Sequence, residues 1–197
     1  MTEVLDPATT SVEGLSESAP DSTAQAGLVF FNASEGKPLA TPWQVALIRS
    51  QLLARAALPE GIVLDCACGS GIQLAAHASV LQRPALGVEL NPNRAQASAV
   101  NLNTIALQRQ ETDSEWMRST RVVIGDGRDG DGIMKAVAAS LGEPHRPKIA
   151  ILHLDPARPR NSRTHGLEEM APRLDEVFTG WQFWGGGALR EKRPLLS

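Results

Sequence analysis

The chain predicts an α/β domain built on a Rossmann-like, doubly wound parallel sheet, and three observations carry that prediction. Four short apolar runs, Ile62–Asp65, Ala85–Glu89, Val122–Gly125 and Ile149–Leu154, alternate with stretches of helical pattern. The first run ends in an acid and a small-residue turn, Asp65-Cys66-Ala67-Cys68-Gly69-Ser70-Gly71, that opens a helix. The second run ends in Glu89, 18 residues beyond Gly71, the spacing at which an acid reaches a ribose hydroxyl pair.

Taken in order, Met1 to about Gln25 is rich in Ser, Thr, Ala and acids, has no aromatic or basic residue, and is expected to be disordered. Residues 1–37 are accordingly read as an acidic segment with its linker, and 38–197 as one domain. Thr41-Pro42-Trp43-Gln44 reads as a capping box with proline at the first helical position. The helix it opens is expected to run to about Ala57 and to pack Val45, Ile48, Leu52, Leu53 and Ala56 on the sheet. Further helices are expected over Gln73–Leu81, Pro92–Ala106, with Asn91 as its cap, and Ile133–Leu141. Ile149–Leu154 is a nearly continuous apolar run, which predicts a central strand covered on both faces and lying beside the first. A last helical stretch, Leu167–Phe178, is interrupted near Pro172.

The turn after the first strand carries the chemistry. Gly69 and Gly71 leave a ligand room to approach the backbone. A dinucleotide fingerprint asks for a third glycine three residues on, and Leu74 stands there. Asp65 at the strand end would repel a pyrophosphate but tolerate an amino group and a sulfonium, so a cationic adenosine ligand fits better than NAD. Glu89 offers two oxygens to two vicinal hydroxyls, each charge-assisted bond giving about 1.5–3 kcal/mol.

With these residues in place, the chain resembles the class I S-adenosylmethionine-dependent methyltransferases over residues 41 to 180. Val63 to Gly71 looks like their first motif, Gly87-Val88-Glu89 their second, Val123-Ile124-Gly125-Asp126 their third and Leu154-Asp155-Pro156 their fourth. Within that family, Ala40-Thr41-Pro42-Trp43 and Asp155-Pro156-Ala157-Arg158 are most similar to the methyltransferases with a THUMP-like domain. The resemblance implies S-adenosyl-L-methionine as cofactor, held by Asp65, Cys66, Ala67, Gly69 and Gly71, by Glu89 and Leu90 at the ribose, and by Asp126 and Gly127 at the adenine. It implies Asp155 and Pro156 as the catalytic pair that grips a target amino group, the alternative for Asp155 being a strand-end acid that caps its loop. Two departures weaken base methylation on nitrogen: Ala157 replaces a proline, and Arg158 replaces an aromatic. It also implies a seven-stranded sheet, so the chain is expected to be incomplete after its fourth strand: either a truncated product or fragment, or one whose edge another chain or a homo-oligomer completes.

Arg158, Arg160 and Arg163 follow the presumed active rim and suit phosphate contact, hence an RNA substrate; pairing with Glu168, Glu169, Asp175 or Glu176 is the competing reading. The net charge of −3 conceals an asymmetry, because residues 1–37 carry −5 and the rest therefore +2, which permits RNA without demanding it. Trp43 is read as a core or edge aromatic rather than part of the cofactor cavity, and His153 and His165 as structural or exposed. Cys66 and Cys68 are too few for a structural zinc, so no metal is expected. No apolar run approaches the roughly 20 residues of a membrane span, and a cytoplasmic protein without membrane association is expected. Two functions stay in view: a methyltransferase acting on RNA, and a cofactor-binding remnant without catalysis; a small-molecule or protein substrate is a further variant of the first.

Overall fold

The structure, a computed structural model, describes residues 2–17, 28–33, 41–142, 147–155 and 171–184. Its centre is a mostly parallel five-stranded sheet in the order β1-β6-β5-β4-β7. These strands are β1 (Glu3–Leu5), β4 (Ile62–Asp65), β5 (Ala85–Glu89), β6 (Arg121–Ile124) and β7 (Ile149–His153), and only β1 runs antiparallel to its neighbour. A separate antiparallel pair joins β2 (Leu15–Glu17) to β3 (Phe31–Ala33). Six helices are described: α1 (Trp43–Ala54), α2 (Ile72–Leu81), α3 (Pro92–Gln108), α4 (Glu115–Arg118), α5 (Gly130–Leu141) and α6 (Leu174–Trp181). The arrangement is α/β and compatible with a Rossmann-like fold.

Strand alternation divides the core in two. Val63, Ala85 and Val122 point to the face covered by α1, α2 and α3, while Leu64, Leu86, Val88 and Val123 point to the face covered by α5 and α6. β4 and β5 are buried along their whole length because helices cover both faces. Leu74, at the position where a dinucleotide turn would carry glycine, is fully buried; a side chain at Gly87 would collide with it, so the glycine on the neighbouring strand makes its room.

Several expectations change. Glu3–Leu5, inside the segment expected to be disordered, forms a strand on β6, with Val4 and Leu5 packed against the two core faces. Asp6, just beyond it, lies 3.4 Å from the Arg121 guanidinium. The N-cap of α1 is Pro42, not Thr41, and no side chain caps it. That helix also presents the other face: Trp43, Ala46 and Ser50 are buried, whereas Val45, Ile48 and Leu52 are 40%, 57% and 59% exposed. Small Ala46 and Ser50 let α1 lie close on alanine-rich α2, and Ser50 bonds His77, while Trp43 meets Phe30 with ring centroids 5.5 Å apart. β7 does lie beside β4 as expected, but among the described residues it is an edge strand, half-buried from Ala150 to His153. Asn91 caps α3 as expected, its side chain accepting from the Arg94 amide at 3.1 Å.

Among the described residues no helix is long and apolar enough to cross a membrane. The residues beyond Trp184, where the missing strands were expected, lie outside those described.

Candidate functional site

The carboxyl ends of β4, β5, β6 and β7 share one rim, because the four strands are parallel neighbours. At the centre is the turn from Asp65 to Gly71. Gly71 has φ of +75°, a left-handed conformation, and any side chain there would collide with Ser98 of α3. The turn closes on itself and on its surroundings: the Gly71 amide donates to the Cys68 carbonyl at 2.8 Å, and the Cys68 amide to Val88 at 3.1 Å. Cys66 and Cys68 are buried, and burial pushes both thiols well above their ordinary range, so they fill space rather than react.

Asn101, fully buried on α3, ties a third element to this turn. Its amide nitrogen donates to Ser70 at 2.8 Å and to the Phe31 carbonyl at 2.9 Å, and its oxygen accepts from the Phe31 amide at 2.7 Å. β3 is thereby docked beside the glycine turn through one side chain.

Glu89, 9% exposed, braces the turn from β5. One carboxylate oxygen accepts from the Gly69 amide at 3.0 Å and the other from the Asn91 amide at 2.9 Å. A carboxylate oxygen accepts more than one hydrogen bond, so each retains capacity toward a hydroxyl donor. Leu90, next in sequence, is 74% exposed at the rim. Asp65 is 2% exposed, and its Oδ1 accepts from the Ala67 amide at 3.1 Å. Burial raises its pKa from 3.8 to about 6, against the opposing pull of His153, while Asp155 and Glu89 add to the rise.

Asp126 is placed differently from the expectation of a free adenine acceptor. Arg128 forks onto it, Nε reaching both oxygens at 2.9 and 3.1 Å and Nη2 reaching Oδ2 at 2.6 Å, and the Arg128 amide adds a bond at 3.0 Å. These bonds hold the Asp126 carboxyl below the usual carboxylate range. Arg128 also reaches Glu176 of α6 at 3.5 Å. Gly127 is buried against the Cys66 carbonyl, where no Cβ fits, and its own carbonyl accepts from the Trp181 indole at 2.7 Å. The loop after β6 is thus pinned between the glycine turn and α6.

Asp155 stands exposed at the end of β7, close enough to Asp65 to raise its pKa. Pro156, Arg158, Arg160 and Arg163 lie outside the described residues, as do Glu168, Glu169 and His165. The two described acids offered as alternative partners of those arginines are engaged elsewhere, Asp175 with Arg173 at 2.9 Å and Glu176 with Arg128. His153, which had no evident partner in the sequence, is in register with Asp65 and packs against His77. The signal that could have found it is its place two residues before Asp155, on the strand expected beside Asp65.

A cavity of about 400 Å³ lies away from the turn, between β1 and the start of α3, lined in part by Glu3, Asp6, Thr9, Asn93 and Gln96. It shares no residue with Asp65, Gly69, Gly71 or Glu89, and the candidate site is marked by its converging chemistry rather than by this cavity. Among the described residues, no group of three or more His, Cys, Asp or Glu side chains is arranged to hold a metal ion. No protein-family model matches the chain, and neither does any curated protein or solved structure.

Proposed function

We propose that the chain is an S-adenosylmethionine-dependent methyltransferase of the class I type acting on RNA, a reading that rests on motif resemblance and on the rim's donor set. The single observation that carries it is the convergence of two buried carboxylates on one glycine turn, with Glu89 hydrogen-bonded to the turn itself. Burial raises the pKa of Asp65 from 3.8 to about 6, and a buried acid so perturbed in a rim of converging polar groups marks a candidate functional site.

The residues fit the cofactor at two of its three parts. Glu89 has acceptor capacity for a ribose diol, and at Gly69 the space a Cβ would take is open, so the backbone there can meet a ligand closely, whereas the space at Gly71 is filled by Ser98. Asp65 offers a carboxylate to an ammonium group. At the adenine, Asp126 fits only after Arg128 yields one of its bonds. When bound, the cofactor supplies an electrophilic methyl on a sulfonium. The role of this chain is then positioning: Asp155 at the adjoining rim would accept from a target group and help aim its lone pair, which is a major source of rate in such transfers. Support for RNA comes from Arg158, Arg160 and Arg163 in the sequence.

Labelled methyl transfer from S-adenosylmethionine to total RNA tests the reading, with Asp155→Ala abolishing transfer. One observation favours a second reading, a cofactor-binding module without catalysis: Asp155 follows a strand that stands at the edge of the described sheet. That reading requires cofactor binding with no turnover on RNA, protein or small molecules.

A further inference from the structure

Asp65 and His153 are partners across the β4–β7 register. Val63 and Ile151 belong to the core on the α1, α2 and α3 side, so Asp65 and His153, each two residues further along its strand, project to that same side. On its far side His153 meets the ring of His77 edge-on, centroids 5.4 Å apart and planes at 68°.

The protonation of His77 follows from its hydrogen bonds. Ser50 Oγ spends its one hydrogen on the Ala46 carbonyl at 2.8 Å, so at 2.9 Å from His77 Nδ1 it can only accept. Nδ1 therefore carries the hydrogen, and Nε2 accepts from Gln73 Nε2 at 3.1 Å. Gln73 is held in turn by Arg49, which donates to its Oε1 at 3.3 Å. Both ring nitrogens are used, and burial pushes the His77 pKa down to about 3. His153 is thus seated between a ring fixed as neutral and a buried carboxyl.

We propose that His153 is the positioning residue of this site, keeping the Asp65 carboxylate ionised and available to the ammonium of a cationic amino-acid-bearing ligand. This rests on the reading of the Asp65–Gly71 turn as the S-adenosylmethionine site. The charged groups around Asp65 make the role specific: Glu89 from β5 and Asp155 beyond β7 both favour its protonation, as does burial, while His153 and the Ala67 amide oppose it. Among the described residues, Asp65 and His77 bear on His153, and Arg49 bears on His77 from α1. In the free protein His153 opposes protonation of Asp65 from across the strand pair.

The test compares wild type with His153→Gln, which keeps a hydrogen-bonding side chain of similar reach but no charge. In the ligand-free protein, the Asp65 carboxyl carbon is followed by NMR through pH; its midpoint should rise by about one pH unit in His153→Gln, as expected for loss of a neighbouring opposite charge. Calorimetric S-adenosylmethionine titrations from pH 5.5 to 8 should weaken by about tenfold per pH unit below that midpoint, the fall beginning correspondingly higher in His153→Gln. A purely structural role would change the melting temperature and leave both midpoints in place, and that result overturns the proposal. Failure of the wild type to bind S-adenosylmethionine at any pH would instead sink the cofactor reading, and the ligand-free Asp65 midpoint would still decide whether the pair exists.

Discussion

Replacing Asp65 by Asn should stabilise this protein at neutral pH, the reverse of what most substitutions of a buried polar residue do. Asn is nearly isosteric, and its oxygen can still accept from the Ala67 amide, which Asp65 Oδ1 does at 3.1 Å. What it removes is the cost of ionising a carboxyl that is 2% exposed. The rise from 3.8 to about 6 corresponds to about 3 kcal/mol. Its sign follows from proton counting: between about pH 4 and 6 the folded state holds a proton that the unfolded state has lost, so stability falls as pH rises through that window. Above it the whole penalty is present, and below it none. Guanidinium denaturation at several pH values should therefore show Asp65→Asn more stable by about 3 kcal/mol at pH 7.5, or about 6–12 °C in Tm, with the gain vanishing near pH 4. His77 acts in the opposite sense, since its pKa falls from 6.5 to about 3 and its contribution is lost as pH drops through that range. It is common to both proteins and cancels in the difference. The stability gain should come with weaker binding of S-adenosylmethionine, the usual exchange at a functional site. A variant less stable than wild type at pH 7.5, or a difference that does not change with pH, would mean that ionising Asp65 carries no such cost in the folded protein.

Two further outcomes follow from the site's geometry. Asn101→Ala should lower stability by about 3 kcal/mol, because a residue with no exposure loses three hydrogen bonds and leaves the Phe31 and Ser70 backbone groups without them. Hydrogen exchange at the Phe31 amide should accelerate, and protection equal to wild type would show that β3 is not held by this side chain. Arg128→Ala should tighten S-adenosylmethionine binding several-fold with little change in Tm, since the fork that occupies Asp126 lies on the surface. Unchanged or weaker binding would show that Asp126 does not serve the adenine.

Three of the four parallel strands were legible almost to the residue, because each is an apolar run bounded by turn residues. β6 begins one residue earlier than read, since a charged Arg121 at its start disguises the strand. β1 was not legible: three residues with two half-buried apolar side chains carry no local signal, and the strand exists only through its pairing with β6, more than a hundred positions away. The buried face of α1 departs from its apolar spacing for a related reason. Counting apolar spacings favours Val45, Ile48 and Leu52, but what decides is the partner, and Ser50 and Ala46 are the residues that admit α2 closely. The candidate site divides the same way. Asp65, Gly69, Gly71 and Glu89 lie within two neighbouring motifs, so short-range spacing finds them. His153 depends on strand register, and Asn101 on the docking of a segment 70 residues distant. The fork on Asp126 was within reach, since Arg128 is only two residues on, but spacing alone does not say that an arginine folds back onto the acid before it.

The proposed function requires the Asp65–Gly71 turn and Glu89 to bind S-adenosylmethionine together. Calorimetric titration of the wild type against Glu89→Ala tests it most directly. Saturable one-to-one binding is expected for the wild type, with a loss of about 100-fold in the variant, the worth of about 3 kcal/mol for two charge-assisted hydrogen bonds. Equal affinity in the two proteins would mean that Glu89 does not hold the ribose.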